Sequence, residues 1–389
     1  MFKIKTFNKI SDKGLGRFSP EHYQVSDAID DADAYILRSH KLHNEVIPES
    51  VKAIARAGAG VNNVPVDDCS KKGVVVFNTP GANANAVKEL VLAGMLLSSR
   101  GISAGMAYAQ SLESMDDAAQ MHKQLEAEKK RFAGNELMGK TLGVIGLGAI
   151  GSLVADMALA LGMKVIGFDP ALSVEAAWRL PSQVTKMDGL TSLLANADFV
   201  SLHVPAIEPT YHLINDEALA SAKKGLVLLN FARESIVDPE AVVKSLQANH
   251  LGQYVCDFPE PCLLGNQKVI AMPHIGASTA EAEENCAVMA ADQLMDYLQN
   301  GNIKNSVNFP AVAMAREGNN RLTFANENVA GVLGEVLSVF TRHQLNVVDM
   351  VNKSRGDIAY NILDIESEIS EQVLSEINAL AHVIFVRVL

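Results

Sequence analysis

The chain has 389 residues, 48% of them hydrophobic and 20% charged, with a formal net charge of −12 at pH 7. Such a length accommodates two or three domains with ample core, and the composition is that of an ordinary globular protein. The negative charge disfavours nucleic acid and anionic membrane as partners, because both would be repelled.

From the first residue to about residue 95, short apolar runs (Phe2–Phe7, Ala34–Leu37, Val51–Ala57, Val74–Phe77) alternate with polar or glycine-bearing segments. This is the pattern of a small α/β unit. Phe2–Phe7 alternates like a strand and offers no apolar signal core, so a cytoplasmic protein is expected. Cys69, Cys256, Cys262 and Cys286 lie scattered, without metal-ligand spacing, so reduced thiols and no metal are expected. Arg38 and Ser39 follow the run Tyr35–Leu37, and Arg56-Ala57-Gly58-Ala59-Gly60 makes a glycine-rich turn after another run. Strand ends of this kind line the ligand crevice of an open α/β sheet, although each arginine alone reads equally well as a solvated surface charge. Asn78 opens the loop to Asn83, and a helix capped by Asn83 or Asn85 is expected through Leu97.

Residues 105–139 are rich in Gln, Glu, Lys and Met, without strand-like alternation. They read as an amphipathic connector or as an arm that packs on a second subunit.

The most informative stretch runs from Leu142 to Pro170 and centres on Gly146-Leu147-Gly148-Ala149-Ile150-Gly151. An apolar strand precedes this GxGxxG, a helix-compatible run follows, and a second strand, Val165–Phe168, ends on Asp169. The first glycine permits the strand-to-helix turn, the second lets backbone approach a pyrophosphate, and the third lets the helix pack closely on the sheet. The pyrophosphate would sit at the positive end of the helix beginning near Ala149 and Ile150. Asp169 is placed to accept hydrogen bonds from the adenosine ribose and would repel a 2'-phosphate, so the expected cofactor is NAD. The stretch is apolar enough to raise the idea of a membrane span, but Asp156 and its glycines argue against one.

Further strands end at His203-Val204-Pro205, at Ala232-Arg233, at Asp257 and at Pro273-His274. Alternation with helical patterns predicts a doubly wound parallel sheet that delivers these groups at its carboxyl edge. Asp238-Pro239 is expected to open a helix, and Glu281–Asn300 to form one. Residues 311–320 read as a linker. From residue 321 to the end, the order strand (Leu322–Ala325), helix (Val332–Arg342), strand (Asn346–Val351), strand (Ile358–Ile365), helix (Glu371–Leu380), strand (His382–Val388) is a βαββαβ, ferredoxin-like pattern.

Arg233, Asp257, Glu260 and His274 should therefore surround the nicotinamide half of the cofactor. A guanidinium can hold a substrate carboxylate through two hydrogen bonds. A histidine can take a hydroxyl proton as hydride leaves, and a carboxylate beside it can orient it. These are the parts needed to oxidise a 2-hydroxy acid.

Asn230-Phe231-Ala232-Arg233 with Ile236-Val237-Asp238, Asp257…Glu260-Pro261 and Pro273-His274-Ile275-Gly276-Ala277-Ser278-Thr279 resemble the D-isomer-specific 2-hydroxyacid dehydrogenase family. Adding Arg38-Ser39, Arg56–Val61 and Asn78-Thr79-Pro80 narrows the likeness to members that act on 3-phosphoglycerate. The resemblance covers essentially the whole chain. It implies NAD-dependent oxidation of 3-phospho-D-glycerate to 3-phosphohydroxypyruvate, which commits carbon to serine. Arg233 would be the carboxylate anchor, His274 the acid/base and Glu260 its partner. Gly146, Gly148, Ala149, Ile150, Gly151, Asp169, His203, Val204, Pro205, Ala232, Asp257 and Gly276 would hold the cofactor, with Asp257 near the carboxamide. Arg38, Ser39, Arg56, the backbone of Ala57–Gly60 and Asn78 would hold the substrate, and Arg38, Arg56 and Arg233 together meet the need of an acidic chain to bind anions. The implied architecture is a Rossmann-type NAD domain (96–277) inserted in a smaller flavodoxin-like substrate domain (1–95 and 278–310), with a cleft between them. The residues from 321 to 389 resemble an ACT domain, in which Asn326, Asn328 and Asn346 would take an L-serine effector. A homodimer or homotetramer is implied. The spacing departs from the family at one point, since only Phe258-Pro259 separate Asp257 from Glu260. That leaves open whether Glu260 or another carboxylate partners His274. The competing readings are a dehydrogenase of another D-2-hydroxy acid and a noncatalytic NAD-sensing scaffold.

Overall fold

Five short strands, β1 (Phe2–Thr6), β2 (Tyr23–Ser26), β3 (Ala34–Leu37), β4 (Ala53–Arg56) and β5 (Val75–Phe77), pair in parallel in the order β2-β1-β3-β4-β5. This is the flavodoxin-like order, with the direction of strand addition reversing beside β1. β2 escaped the apolar-run reading because Tyr23 and Val25 are its only large apolar residues. The computed structural model describes residues 1–317 and 320–389 and divides them into two compact units.

The first unit joins Met1–Asn83 to Ala280–Leu389. The helix Ala280–Asn300 lays Cys286, Ala287, Ala290, Leu294 and Tyr297 against the five-stranded sheet, and the small side chains permit close approach. Gly14 packs there too, and a Cβ added to it would lie 2.5 Å from that of Ala287. The C-terminal part is a four-stranded antiparallel sheet in the order β14-β15-β13-β16, with β13 Asn320–Glu327, β14 Val347–Arg355, β15 Ile358–Ile365 and β16 Val383–Val388. Side chains alternate between its two faces, as the pleat requires. Leu322, Phe324, Leu363 and Ile365 meet the helices Val332–Arg342 and Glu371–Asn378. Ala325, Tyr360 and Ile362 instead join the core that contains Phe77, Tyr297 and Phe309.

The expected linker is therefore packed chain. Val312 bridges Ile303, Met314 accepts burial and donates its N–H to Asn302, and Tyr360 Oη donates to the Gly301 carbonyl at 2.8 Å. Residues 318 and 319 of that span lie outside the described residues. Arg321, fully buried, pairs with Asp364 at 2.6 Å and also donates to the carbonyls of Asn300, Met314 and Ala315. Burial alone would raise the Asp364 carboxyl, but Arg321 and the Glu317 N–H hold it below its usual 3.8.

The second unit, Ala84–Thr279, holds a seven-stranded parallel sheet. Its strands are β6 (Thr141–Ile145), β7 (Lys164–Phe168), β8 (Thr185–Lys186), β9 (Phe199–Leu202), β10 (Val227–Asn230), β11 (Gln253–Cys256) and β12 (Val269–Ala271), in the order β12-β11-β10-β9-β6-β7-β8. The helix Ala84–Ser99 belongs to this unit, because Val87, Val91 and Met95 form one core with Val144, Leu229 and Val255. That packing puts the boundary at residue 84, where the sequence pattern had placed it after 95. Asn85 lies inside this helix and bonds Glu89, so it does not cap it. Asp238 does cap the helix Pro239–Gln247, accepting from the N–H groups of Glu240 and Ala241. The expected connector is two short helices, Ile102–Gln110 and Ala118–Glu128, neither with a buried residue.

Candidate active site

The glycine loop sits between β6 and the helix Ala149–Ala160. Gly146 has φ +88°, and a Cβ there would lie 2.6 Å from the His203 carbonyl oxygen. A Cβ on Gly151 would lie 1.9 Å from the Gly146 oxygen, so only glycine allows this helix to start where it does. Gly148 differs from both, since a Cβ there would meet nothing within 4 Å. No side chain caps the first turn at Gly148, and the N–H groups of Ala149 and Ile150 lie at the dipole's positive end. Asp169, just past β7, accepts from Leu147 N (2.8 Å) and Ala171 N (2.9 Å). Each carboxylate oxygen retains acceptor capacity for ribose hydroxyls. Open space at the second glycine, free helix donors and a pinned carboxylate fit a dinucleotide.

Neighbouring strand ends shape the loop from behind. His203 turns its Nε2 to the Ser201 hydroxyl at 2.8 Å, and burial lowers its pKa from 6.5 to about 3, so the ring is neutral. Its carbonyl and the Val204 side chain close on Gly146, and Pro205 accepts from Thr210 through its carbonyl.

Beyond β10 the fully buried Asn230 organises the turn that carries Arg233. Its Oδ1 accepts from Ala232 N (3.1 Å), while its Nδ2 donates to Arg233 O (2.8 Å). Arg233 Nη1 donates to the Ala232 carbonyl at 2.6 Å. Asp257, 1% exposed, spends both carboxylate oxygens on one loop, taking Ile275 N at 2.8 Å and Gly276 N at 2.7 Å. Its carbonyl accepts from His274 N at 2.9 Å. The backbone of His274 is thus fixed from three sides in a left-handed conformation, φ +55°, with the imidazole exposed. Phe258 stands beside it, ring centroids 4.5 Å apart, and Arg233 Cζ lies 5.6 Å from the same Phe258 ring. Among the described residues, no hydrogen bond or ion pair joins Glu260 to His274. Glu260 instead opens the short turn Pro261–Leu263. Asn230 and Phe258 were given no role from the sequence, although a buried asparagine ending an apolar strand is a signal that could have suggested one.

A second constellation lies in the first unit. Arg56 Nε donates to the Arg38 carbonyl at 3.0 Å, and its guanidinium lies over Gly58, where a Cβ would sit 2.1 Å from Nη1. Asn78 Nδ2 donates to Ala59 O at 2.6 Å, and Thr79 N to Gly58 O at 3.0 Å. Asn8 accepts from the N–H groups of Ser39 and His40. Arg38, Ser39, Arg56, the Ala57–Gly60 turn and Asn78 therefore form one cluster. Arg38 also pairs with Glu283 at 2.7 Å.

The residues expected to bind an effector do not form one site of free side chains. Asn326 is buried, with its Oδ1 taken by Asn361 Nδ2 (3.0 Å) and its own Nδ2 by the Glu327 carbonyl (2.7 Å). Asn328 donates to Gly356 O and Asn346 to Glu366, both at the surface. Among the described residues, no group of three or more His, Cys, Asp or Glu could hold a metal ion.

Residues 102–276 match the D-isomer specific 2-hydroxyacid dehydrogenase, NAD binding domain. The chain is 33% identical over 383 residues to D-3-phosphoglycerate dehydrogenase of Haemophilus influenzae, covering 94% of this chain and 88% of that one. The chain belongs to the D-isomer-specific 2-hydroxyacid dehydrogenase family. It is also 34% identical over 351 residues to the enzyme of the same name from Methanocaldococcus jannaschii, covering 88% of this chain but only 63% of that one. Among solved structures, the NAD+-bound 3-phosphoglycerate dehydrogenase of Entamoeba histolytica superposes with a TM-score of 0.60 at 26% identity, covering 79% of this chain and 98% of that one. The matched NAD-binding domain, residues 102–276, contains the glycine loop described above.

Proposed function

We propose that the chain oxidises 3-phospho-D-glycerate to 3-phosphohydroxypyruvate with NAD, the step that commits carbon to L-serine. The observation that carries this reading is the convergence of Arg233 and His274 on Phe258 inside an NAD-binding unit. The relatives named D-3-phosphoglycerate dehydrogenase support the choice of substrate. Gly146, Gly148, Gly151 and the N–H groups of Ala149 and Ile150 hold the pyrophosphate, and Asp169 the ribose. Asp169 leaves no place for a 2'-phosphate, which would meet its charge. NAD, when bound, supplies the hydride acceptor. Arg233 holds the substrate carboxylate in a bidentate grip, and the Arg38, Arg56 and Ala57–Gly60 cluster of the first unit has the donors that suit a phosphate. His274 removes the hydroxyl proton as the alcohol becomes a ketone, and returns it in the reverse direction.

On the same reading Met1–Asn83 with the helix Ala280–Asn300 is the substrate domain, and residues 320–389 are an ACT-like module that joins copies into a homodimer or homotetramer. Asn328 and Asn346, whose side chains lie at the surface, are its contacts for L-serine. The reaction is placed in the cytoplasm. No single helix among the described residues is long and apolar enough to cross a membrane.

A spectrophotometric NADH assay tests the reading. Turnover is expected with 3-phosphoglycerate and NAD, with kcat/KM at least tenfold above that for D-glycerate or D-lactate, and millimolar serine should lower it. A preference for an unphosphorylated acid would overturn the substrate, and no turnover with any 2-hydroxy acid would leave a noncatalytic NAD-binding protein.

A further inference from the structure

We propose that Phe258 positions both catalytic groups, taking over the task of a carboxylate partner for His274. The inference rests on the roles just given to Arg233 and His274. Asp257 already fixes the histidine's backbone, through its carbonyl to His274 N and its two carboxylate oxygens to the next two N–H groups. What remains is the direction of the imidazole. Among the described residues neither ring nitrogen has a protein hydrogen-bond partner, so no polar group sets that direction. The Phe258 ring does, at a centroid distance of 4.5 Å and an interplanar angle of 51°. Tilted aromatic pairs at this separation are attractive and restrict ring rotation.

The same phenyl ring carries the second group. Arg233 Cζ lies 5.6 Å from its centroid, within the range at which a guanidinium is drawn to an aromatic face. The guanidinium is also tethered through Nη1 to the Ala232 carbonyl, which leaves its other donors for a carboxylate. One rigid side chain therefore sets the spacing between the group that holds the substrate carboxylate and the group that takes the hydroxyl proton. On an α-hydroxy acid these two functions are on adjacent carbons, so that spacing must be held closely.

The short connection from Asp257 to Glu260 explains why an aromatic side chain has this place. Phe258 is the residue immediately after the buried Asp257, so its backbone inherits the rigidity of the strand end. Glu260, after Pro259, opens the turn Pro261–Leu263 through its backbone, and its carboxylate makes no capping bond there. Both imidazole nitrogens are then open to substrate and solvent, and the proton taken from the hydroxyl can leave through water.

The test compares Phe258→Ala, Phe258→Leu, Phe258→Tyr, Glu260→Gln and His274→Ala in the full-length protein, with NADH affinity measured by fluorescence as the check on folding. Phe258→Leu keeps apolar bulk but loses the ring, and it should lower kcat/KM for 3-phosphoglycerate on the order of 10- to 100-fold, as Phe258→Ala does. Phe258→Tyr keeps the ring and should restore activity to within about threefold, while all three bind NADH as the unaltered protein does. Glu260→Gln should stay within about threefold and leave the pH profile of kcat/KM in place. A Phe258→Leu variant with unaltered kcat/KM would overturn the proposal, as would a Glu260→Gln variant that loses as much as His274→Ala or flattens the pH profile. The two readings fail separately, because an active His274→Ala would remove the proposed chemistry, whereas an inactive His274→Ala beside a normal Phe258→Leu would remove only the role of Phe258.

Discussion

Asp364→Ala should loosen the anchorage of the C-terminal sheet on the segment from Asn300 to Ala315. Arg321 is fully buried and donates to both Asp364 oxygens, at 2.6 and 2.8 Å, and to three backbone carbonyls, at 2.8 to 3.1 Å. Breaking a buried pair by removing one partner costs about 3–5 kcal/mol, because the remaining charge stays desolvated. The three carbonyls still face the guanidinium in Asp364→Ala, which places this variant near 3 kcal/mol, roughly a hundredfold in the local opening equilibrium. Arg321→Met removes the guanidinium from Asp364 and from the carbonyls of Asn300, Met314 and Ala315 at once and should reach about 5 kcal/mol or more. Native-state hydrogen exchange reads these values directly, since the amides of β13 and β15 report local opening in the first unit. Unaltered exchange in Asp364→Ala, or a smaller effect in Arg321→Met than in Asp364→Ala, would refute the reasoning.

The same pair gives a pH dependence. The Asp364 carboxyl lies below 3.8 in the folded chain, so its stabilisation is complete above that value and is lost as pH falls through the folded pKa. Protection of β13 and β15 should therefore drop in acid in the native chain but much less in an Asp364→Asn variant, and equal acid sensitivity would count against it. Gly151→Ala puts a methyl group 1.9 Å from the Gly146 oxygen, so NADH affinity should fall at least tenfold in a fluorescence titration, and retained binding would contradict the loop geometry. Asp169→Asn should weaken NAD binding by about tenfold through loss of charged hydrogen bonds while narrowing the gap to NADP, and steady-state KM values for both cofactors check this. Arg233→Ala and His274→Ala should each lose on the order of 100-fold or more in kcat/KM; near-normal activity of His274→Ala would exclude it as the acid/base.

The features readable from the residues alone were local. Gly146, Gly148, Gly151 and Asp169 were legible because the tight turn, the helix start and the strand-end carboxylate are short-range demands on neighbouring residues. Arg38, Arg233, Asp257 and His274 could be placed at strand ends because apolar runs end where strands do, and the βαββαβ order of the C-terminal part is written in its periodicity. Packing decided the rest. Whether residues 84–99 belong with the first strands or the second sheet depended on which core Val87, Val91 and Met95 could enter. The segment 311–317 looked like a tether, but Arg321, Asp364 and Ile303 hold it by hydrogen bonds. Asn326 offered an amide on paper, but Asn361 and Glu327 consume it. The pairing of His274 with Phe258 rather than Glu260 also lies beyond spacing alone, because a side chain's reach depends on where the turn after Asp257 directs it. Short-range geometry is encoded residue by residue, whereas the partners of Arg321, Asn326 and His274 are fixed only when distant segments meet.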